Sequence, residues 1–333
     1  MVHPQLRAVA DTRLGVFTSR EALAVGYLGE DIRAELRTRR WLRLRKGVYI
    51  AADRVRGIEQ PHRHLVDCVA VLLSLDAGPV LSHASAARLH ELTVPRTELH
   101  DVRVTAVDQW RRGRGYRVAR AALPDDDVRP WLAFGATSPA RTLVDCAREW
   151  SLTDGVIAMD AAMQARRVDR AEIHHAVLAG THRVGIGRAA RALGLSDGRA
   201  ESPLETRGRL ALLFSGLPSP ELQVEIHDGA EFIGRVDAWY EDAAVAVEFD
   251  GQVKYLDPRD GTPSGEVLWK EKRREDWMRD VGIRVVRVVN EDLGVPWPRK
   301  AARIRSLLAA PFVGQRSFRT VRTTEPGRTS KAA

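Results

Sequence analysis

The segment Val245–Asp250 constrains the fold more than any other part of the chain. Four of its six residues are apolar, which predicts a β-strand buried on both faces. Glu248 and Asp250 interrupt the apolar run two residues apart, so their side chains project from the same face of the strand. Burying ionised carboxylates is costly, and the fold must therefore place a compensating charge beside them.

Hydrophobic patterning predicts the elements around this strand. A helix is predicted over 201–215, with Glu201 and Glu205 one turn apart on one face. The other elements are an antiparallel meander of three strands, then a helix and a closing strand: 222–226, 233–239, 245–249, 264–280 and 283–289. Asp237 falls at the end of the second strand, across a hairpin from Glu248.

Acids clustered in this way favour a divalent-cation site. Mg²⁺ and Mn²⁺ prefer hard oxygen ligands and usually retain waters. Asp237 and Glu248 are the predicted metal ligands, with Glu205 near enough to join them. A metal held there can generate a hydroxide and stabilise the transition state of phosphodiester hydrolysis.

The positions of the few lysines sharpen this prediction. Only 6 of the 52 basic residues are Lys, and none lies between Lys46 and Lys254. Lys254, Lys270 and Lys272 then all fall within the acid-bearing unit. Lysine offers a compact point charge that can lose its proton, whereas arginine cannot, so Lys254 is predicted to orient a water or stabilise charge. For Lys270 and Lys272, ordinary solvated helix positions are the better interpretation.

The first 60 residues predict a compact winged helix. The stretch Thr18-Ser-Arg-Glu21 is a capping-box pattern that opens a helix over 21–25, and a second helix is predicted over 30–40. Strands over 41–45 and 48–50 then form a hairpin around a Lys-Gly turn. This arrangement suits DNA, because a recognition helix enters the major groove while the wing reaches phosphates or the adjacent minor groove.

Seven basic side chains on the second helix and the hairpin are the candidate DNA-binding residues. They are Arg33, Arg37, Arg39, Arg40, Arg43, Arg45 and Lys46. Contacts from such residues to phosphates make binding strongly dependent on salt. The alternative is that they form the solvated face of a small helical domain.

The remaining boundaries follow from composition. Residues 61–195 predict a middle region of helices and strands with its own core, in which His83, His90 and Cys68 lack the spacing of a closed zinc site. Core or helix-cap histidines are therefore favoured, and this region is assigned no chemistry. The segments that follow are a linker, a C-terminal domain and a disordered basic tail: 196–200, 201–310 and 311–333.

Length and charge narrow the class of protein. The 333 residues allow two or three domains, and the net charge of +8 is unevenly divided. Residues 1–60 carry 12 basic and 7 acidic residues, whereas 201–310 carry 16 and 20. Two cysteines cannot build a disulfide framework, and no apolar run approaches the ~20 residues of a membrane span. These features predict a cytoplasmic protein whose N-terminal domain and tail contact a polyanion, with no membrane partner.

Specific motifs add two family resemblances. The C-terminal stretches are Glu201-Ser-Pro-Leu-Glu205, Gly216-Leu-Pro218, Gly234-Arg-Val-Asp237, Val247-Glu-Phe-Asp-Gly251, Lys272-Arg-Arg-Glu-Asp276 and Gly282-Ile-Arg-Val-Val-Arg287. In them, residues 200–295 resemble the Vsr-like branch of the PD-(D/E)xK endonuclease superfamily. The earlier stretches are Arg40-Trp-Leu-Arg-Leu-Arg-Lys-Gly-Val-Tyr49, Ser82-His-Ala-Ser-Ala-Ala87 and Thr137-Ser-Pro-Ala-Arg-Thr-Leu-Val-Asp145. In these, residues 14–195 resemble the AbiEi-type antitoxin family.

The resemblances imply a multidomain protein of the α+β and α/β classes. Its parts would be an N-terminal winged helix, a mixed α/β middle region and a C-terminal restriction-endonuclease-like domain. The implied catalytic set is Glu205, Asp237, Glu248, Asp250 and Lys254, with Asp237 and Glu248 as the ligands of Mg²⁺ or Mn²⁺. Two departures matter: Asp250 replaces the usual lysine two residues after the second acid, and many relatives carry histidine where Lys254 stands. Either Lys254 or a helix lysine substitutes, or the site binds metal without cutting.

Three functions are open at this point. The first is a DNA-binding protein with a metal-dependent endonuclease domain. The second is an AbiEi-type antitoxin or transcriptional repressor whose nuclease-like domain is catalytically silent. The third is a toxin–antitoxin protein whose middle region binds a cognate toxin.

Overall fold

A computed structural model describes residues 2–75, 78–98, 100–251, 264–313 and 315–323. Within these ranges lie twelve α-helices and fourteen β-strands in three sheets, so the chain is a mixed α/β multidomain protein. Backbone contacts divide it into two compact units. The first contains residues 1–154 and 171–190, and the second contains 155–170 and 191–333. None of the described helices is long and apolar enough to cross a membrane.

The helices are α1 Pro4–Asp11, α2 Ser19–Ala24, α3 Gly29–Arg37, α4 Gln60–Ser74, α5 His83–Leu89, α6 Pro139–Glu149, α7 Leu152–Gln164, α8 Arg170–Ala179, α9 Ile186–Leu195, α10 Pro203–Phe214, α11 Ser264–Asp280 and α12 Trp297–Ala309. The strands are β1 Val16–Thr18, β2 Trp41–Arg45, β3 Val48–Ala51, β4 Val80–Leu81, β5 Val102–Ala106, β6 Arg111–Gly113, β7 Tyr116–Arg120, β8 Val128–Trp131, β9 Phe134–Thr137, β10 Glu221–Asp228, β11 Glu231–Tyr240, β12 Val245–Asp250, β13 Arg284–Val289 and β14 Phe318–Val321.

Helices α1 to α3 and an antiparallel sheet of order β1-β3-β2 form the N-terminal part of the first unit. The predicted capping box is confirmed, because Thr18 and Glu21 bond each other's backbone amides. The two helices and the hairpin also occur where the sequence predicts them. Helix α3 stops earlier than expected, since Arg39 adopts a left-handed backbone at φ 54° that a helix cannot continue. The winged-helix label itself stays a prediction.

A six-stranded mixed sheet of order β6-β7-β5-β4-β9-β8 lies in the first unit. Its core includes Cys68, Leu81, Val104 and Val118, and α5 packs against both β5 and α6. Alternating residues over 99–107 and 116–121 predict two strands of this region, which are present as β5 and β7. The edge strands β6 and β8 are additional to the prediction, because β6 is Arg-Arg-Gly and β8 contains Pro130.

The second unit contains a five-stranded sheet of order β13-β12-β11-β10-β14. The predicted meander is confirmed, with β10, β11 and β12 antiparallel, and β13 joins β12 in parallel. One core cluster includes Leu212, Val247 and Phe249, whereas a separate one includes Val236 and Met278. A restriction-endonuclease-like fold stays a prediction.

The structure describes part of the predicted tail and the whole of the predicted linker. The prediction of disorder after residue 311 is wrong for Phe318–Val321, which pairs antiparallel with β10. A single aromatic ring makes the difference, because Phe318 is buried edge-on against Trp239 with ring centroids 5.8 Å apart. In the predicted linker 196–200, both Ser196 and Ala200 are buried. The other domain boundaries stay predictions.

A buried ion pair holds α7 against α10 in the second unit. Asp160 accepts hydrogen bonds from Arg209 Nη2 at 2.8 Å, from Thr206 Oγ1 at 2.9 Å and from the backbone amide of Asp197 at 2.7 Å. Burial raises the pKa of Asp160 to about 6, although the charge of Arg209 opposes the shift. Arg209 also donates to the carbonyl oxygen of Leu195 at 2.7 Å.

Gly208 lets α10 approach β12 closely. A Cβ atom at this position would lie 1.9 Å from Cε1 of the Phe249 ring. We expect Gly208→Ala to lower the free energy of unfolding by about 1–3 kcal/mol, because overpacking outweighs the better helix propensity of alanine. Gly194→Ala in α9 is the matched control, since a Cβ there meets open space. Urea denaturation that showed both variants equally stabilised would contradict this packing.

Candidate functional site

The structure exposes most of the predicted DNA-binding residues on one part of the first unit. Arg33 and Arg37 lie on α3, Arg39 follows it, Arg43 lies on β2, and Lys46 lies in the turn before β3. All five side chains are exposed. We call these five residues the helix–hairpin surface.

The other two predicted residues make specific contacts within the chain. Arg40 donates two hydrogen bonds to the carboxylate of Glu35, at 2.8 and 2.9 Å. Arg45 is half-buried and donates to the carbonyl oxygen of Arg114 at 2.6 Å, with its guanidinium 5.1 Å from the centre of the Tyr116 ring. Arg45 therefore ties the β2–β3 hairpin to the hairpin formed by β6 and β7.

In the second unit, three of the predicted acids influence one another. Glu205 follows the N-cap Ser202 on α10 and accepts hydrogen bonds from the Glu201 amide and Gln223 Nε2, at 2.8 and 2.9 Å. Burial raises the pKa of Glu205 to about 7, and the charge of Asp237 adds to the shift. Burial also raises the pKa of Glu248, where Asp237 again adds to it.

Arginines supply the positive charge beside the acidic strand. Glu248 accepts a hydrogen bond from Arg274 Nη2 at 2.8 Å, and Arg287 lies 3.9 Å from Glu248 and 3.6 Å from Asp250. The parallel register sets Arg287 directly opposite Glu248. Gly234 makes room for Arg274, because a Cβ there would lie 2.7 Å from Arg274 Cδ.

Neither arginine is predicted from the sequence as a site residue. Both occur in the stretches that carry the Vsr-like resemblance, but only the pairing of β12 with β13 shows that Arg287 faces the acids. Lys254 lies outside the described residues, as does the side chain of Lys270, whereas Lys272 is exposed. The counter-charge at Glu248 is thus a guanidinium.

Both predicted metal ligands accept hydrogen bonds within the chain. One carboxylate oxygen of Asp237 accepts the Phe249 amide at 2.7 Å, and Glu248 is bonded to Arg274. Within the described ranges, no group of three or more His, Cys, Asp or Glu side chains is placed to hold a metal ion.

A second charged network lies buried in the first unit, where the sequence assigned no chemistry. Asp145 on α6 accepts hydrogen bonds from Arg141 Nε at 2.6 Å and from Arg148 Nη1 at 2.8 Å, and Arg141 also donates to Asp127 at 2.5 Å. The side chains of Arg141 and Asp145 are each 1% exposed. Burial opposes ionisation of Asp145, but the charges of His83 and Arg141 outweigh it and lower its pKa.

The network continues from α6 to α5 and β5. Glu149 accepts two hydrogen bonds from Arg103, at 2.7 and 2.9 Å, and lies 3.2 Å from His83 Nε2. His83 Nδ1 also lies 2.8 Å from the hydroxyl oxygen of Ser82. His83 in the stretch 82–87 therefore contacts Glu149, which follows the stretch 137–145 on α6 and has a side chain that is 39% exposed.

The region that holds this network has a family match. Residues 77–195 match the model of the AbiEi antitoxin C-terminal domain. This confirms the predicted resemblance for that part of the chain, and the Vsr-like resemblance stays a prediction. The AbiEi-type domain thus contains the α5–α6 network and the whole six-stranded sheet.

Two relatives match a longer part of the chain than this domain, but not the whole of it. The uncharacterized proteins MT2308 and Rv2248, from the CDC 1551 / Oshkosh and ATCC 25618 / H37Rv strains of Mycobacterium tuberculosis, are each 34% identical over 169 residues. The match covers 51% of this chain and 60% of each relative. The crystal structure of RV2827C protein from M. tuberculosis aligns with a TM-score of 0.40 at 18% identity, over 66% of this chain and 82% of that one, a likeness too low to support an argument.

Removing the acid at the centre of the network tests its importance. We expect Asp145→Ala to lower the free energy of unfolding by about 3–5 kcal/mol, because it leaves the Arg141 guanidinium buried without its main counter-charge. The control is Asp126→Ala, whose exposed side chain predicts a change within about 0.5 kcal/mol. Chemical denaturation measures both, and a cost at Asp145 no larger than the control would show that the network does not stabilise the domain.

Proposed function

We propose that the protein is a DNA-binding antitoxin or transcriptional repressor of a toxin–antitoxin system. The observation that carries this proposal is the match of residues 77–195 to the AbiEi antitoxin C-terminal domain. Residues 77–154 and 171–190 of the matched region lie in the compact unit that also contains the helix–hairpin surface. A cognate toxin is the protein partner that the domain suggests.

The positive charges of the helix–hairpin surface favour binding to the phosphates of duplex DNA. Arg33 and Arg37 follow one another by one turn on α3, the helix predicted to enter the major groove. Arg43 and Lys46 lie on the following hairpin, within reach of phosphates. The pairing of Arg40 with Glu35 removes one guanidinium from this set, and the other exposed residues then carry the interaction.

The second unit supports a regulator better than an enzyme. Residues 201–310 carry 20 acidic and 16 basic residues, so this part of the chain repels DNA on balance. Arg274 and Arg287 also neutralise the acids beside β12. We propose that this nuclease-like domain is catalytically silent and that DNA binding falls to the first unit.

Salt dependence provides the test of DNA binding. We expect Arg37→Ala/Arg43→Ala to weaken binding to a 40-base-pair duplex and to make the slope of log K against log salt less negative by about 2, since each phosphate contact contributes about 0.9. Arg299→Ala/Arg303→Ala on α12 is the matched control, because it removes two exposed arginines from the second unit. Fluorescence anisotropy at several salt concentrations measures both, and an unchanged slope in the first variant would refute the proposed surface.

A metal-dependent endonuclease is a second candidate function. It is favoured by the mutual influence of Glu205, Asp237 and Glu248, whose raised pKa values at Glu205 and Glu248 are what a cation would relieve. In this proposal Asp237 and Glu248 hold Mg²⁺ or Mn²⁺, Glu205 assists, Asp250 occupies the following motif position, and Lys254 supplies positive charge.

A melting experiment separates the two candidates. If the domain binds metal, millimolar Mg²⁺ or Mn²⁺ raises the melting temperature by mass action, and Glu248→Gln abolishes that rise. Glu231→Gln, at an exposed acid on β11, keeps it. Lys254→Ala is then expected to lose plasmid cleavage by about 10²–10³-fold with the rise retained. A wild-type protein that neither shifts with these cations nor cuts plasmid excludes the endonuclease.

A further inference from the structure

The β6–β7 hairpin is a short, strongly basic segment of the AbiEi-type domain. Residues 109–124 contain five arginines and no acid. Strand β6 is the edge of the six-stranded sheet, and it is preceded by Trp110, whose side chain is 75% exposed. A tryptophan left this open to water beside an edge strand is uncommon, and its ring is available for a contact outside the chain.

Two glycines determine the conformation of the β6–β7 hairpin. Arg112 pairs with Arg117, and Gly113 pairs with Tyr116 across a two-residue turn. The turn uses Gly115 at φ 70°, a conformation that favours glycine. A Cβ at Gly113 would lie 2.1 Å from the Tyr116 ring, so only glycine lets this ring lie across the strand.

The Tyr116 ring in turn receives Arg45 from the β2–β3 hairpin. The guanidinium of Arg45 lies 5.1 Å from the ring centre and donates to the carbonyl oxygen of Arg114 at 2.6 Å. The two hairpins are thus in direct contact within one compact unit. A ligand seated on the β2–β3 hairpin has the β6–β7 hairpin beside it.

Most charges of the β6–β7 hairpin face solvent. Arg111, Arg112, Arg114 and Arg120 are exposed. Arg117 differs, because it donates to Asp101 at 2.9 Å. Neighbouring arginines on an edge strand repel one another, which an anionic ligand with regularly spaced charges would offset.

We propose that the β6–β7 hairpin is a second DNA-contacting element, which binds the phosphates of a duplex next to the part held by the helix–hairpin surface. This inference rests on the proposed DNA binding of the first unit. Arg111, Arg112 and Arg114 contact phosphates, and Trp110 makes an uncharged contact with the same stretch of the duplex. Duplex DNA is the occupant that fits, because it continues from one hairpin to the next with a uniform negative charge.

The experiment uses the full chain and the 40-base-pair duplex. Arg111→Ala/Arg112→Ala/Arg114→Ala is expected to weaken binding about 10- to 100-fold near 0.1 M salt and to make the salt slope less negative by about 2 to 3. The corresponding triple lysine variant keeps the slope, because the phosphate contacts depend on charge. Trp110→Ala weakens binding severalfold and leaves the slope unchanged, since it removes no charge.

Comparison with Arg37→Ala/Arg43→Ala separates this inference from the proposed function. If that variant weakens binding while the β6–β7 alanine variant binds like wild type, the hairpin proposal is overturned and DNA binding by the first unit stands. If neither variant changes the wild-type affinity, or wild type does not bind, both proposals fail. If the alanine variant is unfolded by circular dichroism, the folded Trp110→Ala variant decides, and wild-type affinity in that variant overturns the hairpin proposal.

Discussion

Buried pairs of arginine and aspartate are the interactions on which both units depend. In the first unit, Arg141 and Asp145 are nearly inaccessible to water and join α6 to its neighbours. In the second, Arg209 and Asp160 join α10 to α7. A buried charge without its partner is far more costly than a lost apolar contact. Each pair therefore permits only those helix arrangements in which all of its hydrogen bonds form.

Apolar patterning predicts the parts of the fold that bury one continuous face. It locates the meander β10 to β12 and the β2–β3 hairpin, whose side chains alternate or form apolar runs. It fails for β6, β8 and β14, because short edge strands are held by backbone pairing that no side-chain pattern records. It also fails for Arg141 and Asp145, since a charged pair four residues apart on a helix usually indicates a solvated face.

The sequence also predicts only part of each candidate site. The sequence places Glu205, Asp237 and Glu248 near one another, and their mutual effect on pKa agrees with that. It does not identify Arg274 and Arg287, because their approach depends on the packing of α11 and the register of β13. Among the seven predicted DNA-binding residues, Arg40 bonds Glu35 while its side chain stays exposed, and Arg45 is half-buried beside Tyr116; composition predicts neither contact.

The acids of the second unit have structural roles that do not require catalysis. Asp237 accepts the Phe249 amide across the β11–β12 pair, and Glu205 accepts the Glu201 amide before α10. Glu248 is buried beside guanidinium groups that are themselves partly exposed. The loss of hydration on folding is therefore larger for the carboxylate than for the guanidinium groups. Since an arginine keeps its proton at any ordinary pH, this neutralisation is permanent. The presence of these carboxylates in the chain is therefore compatible with a domain that does not cut DNA.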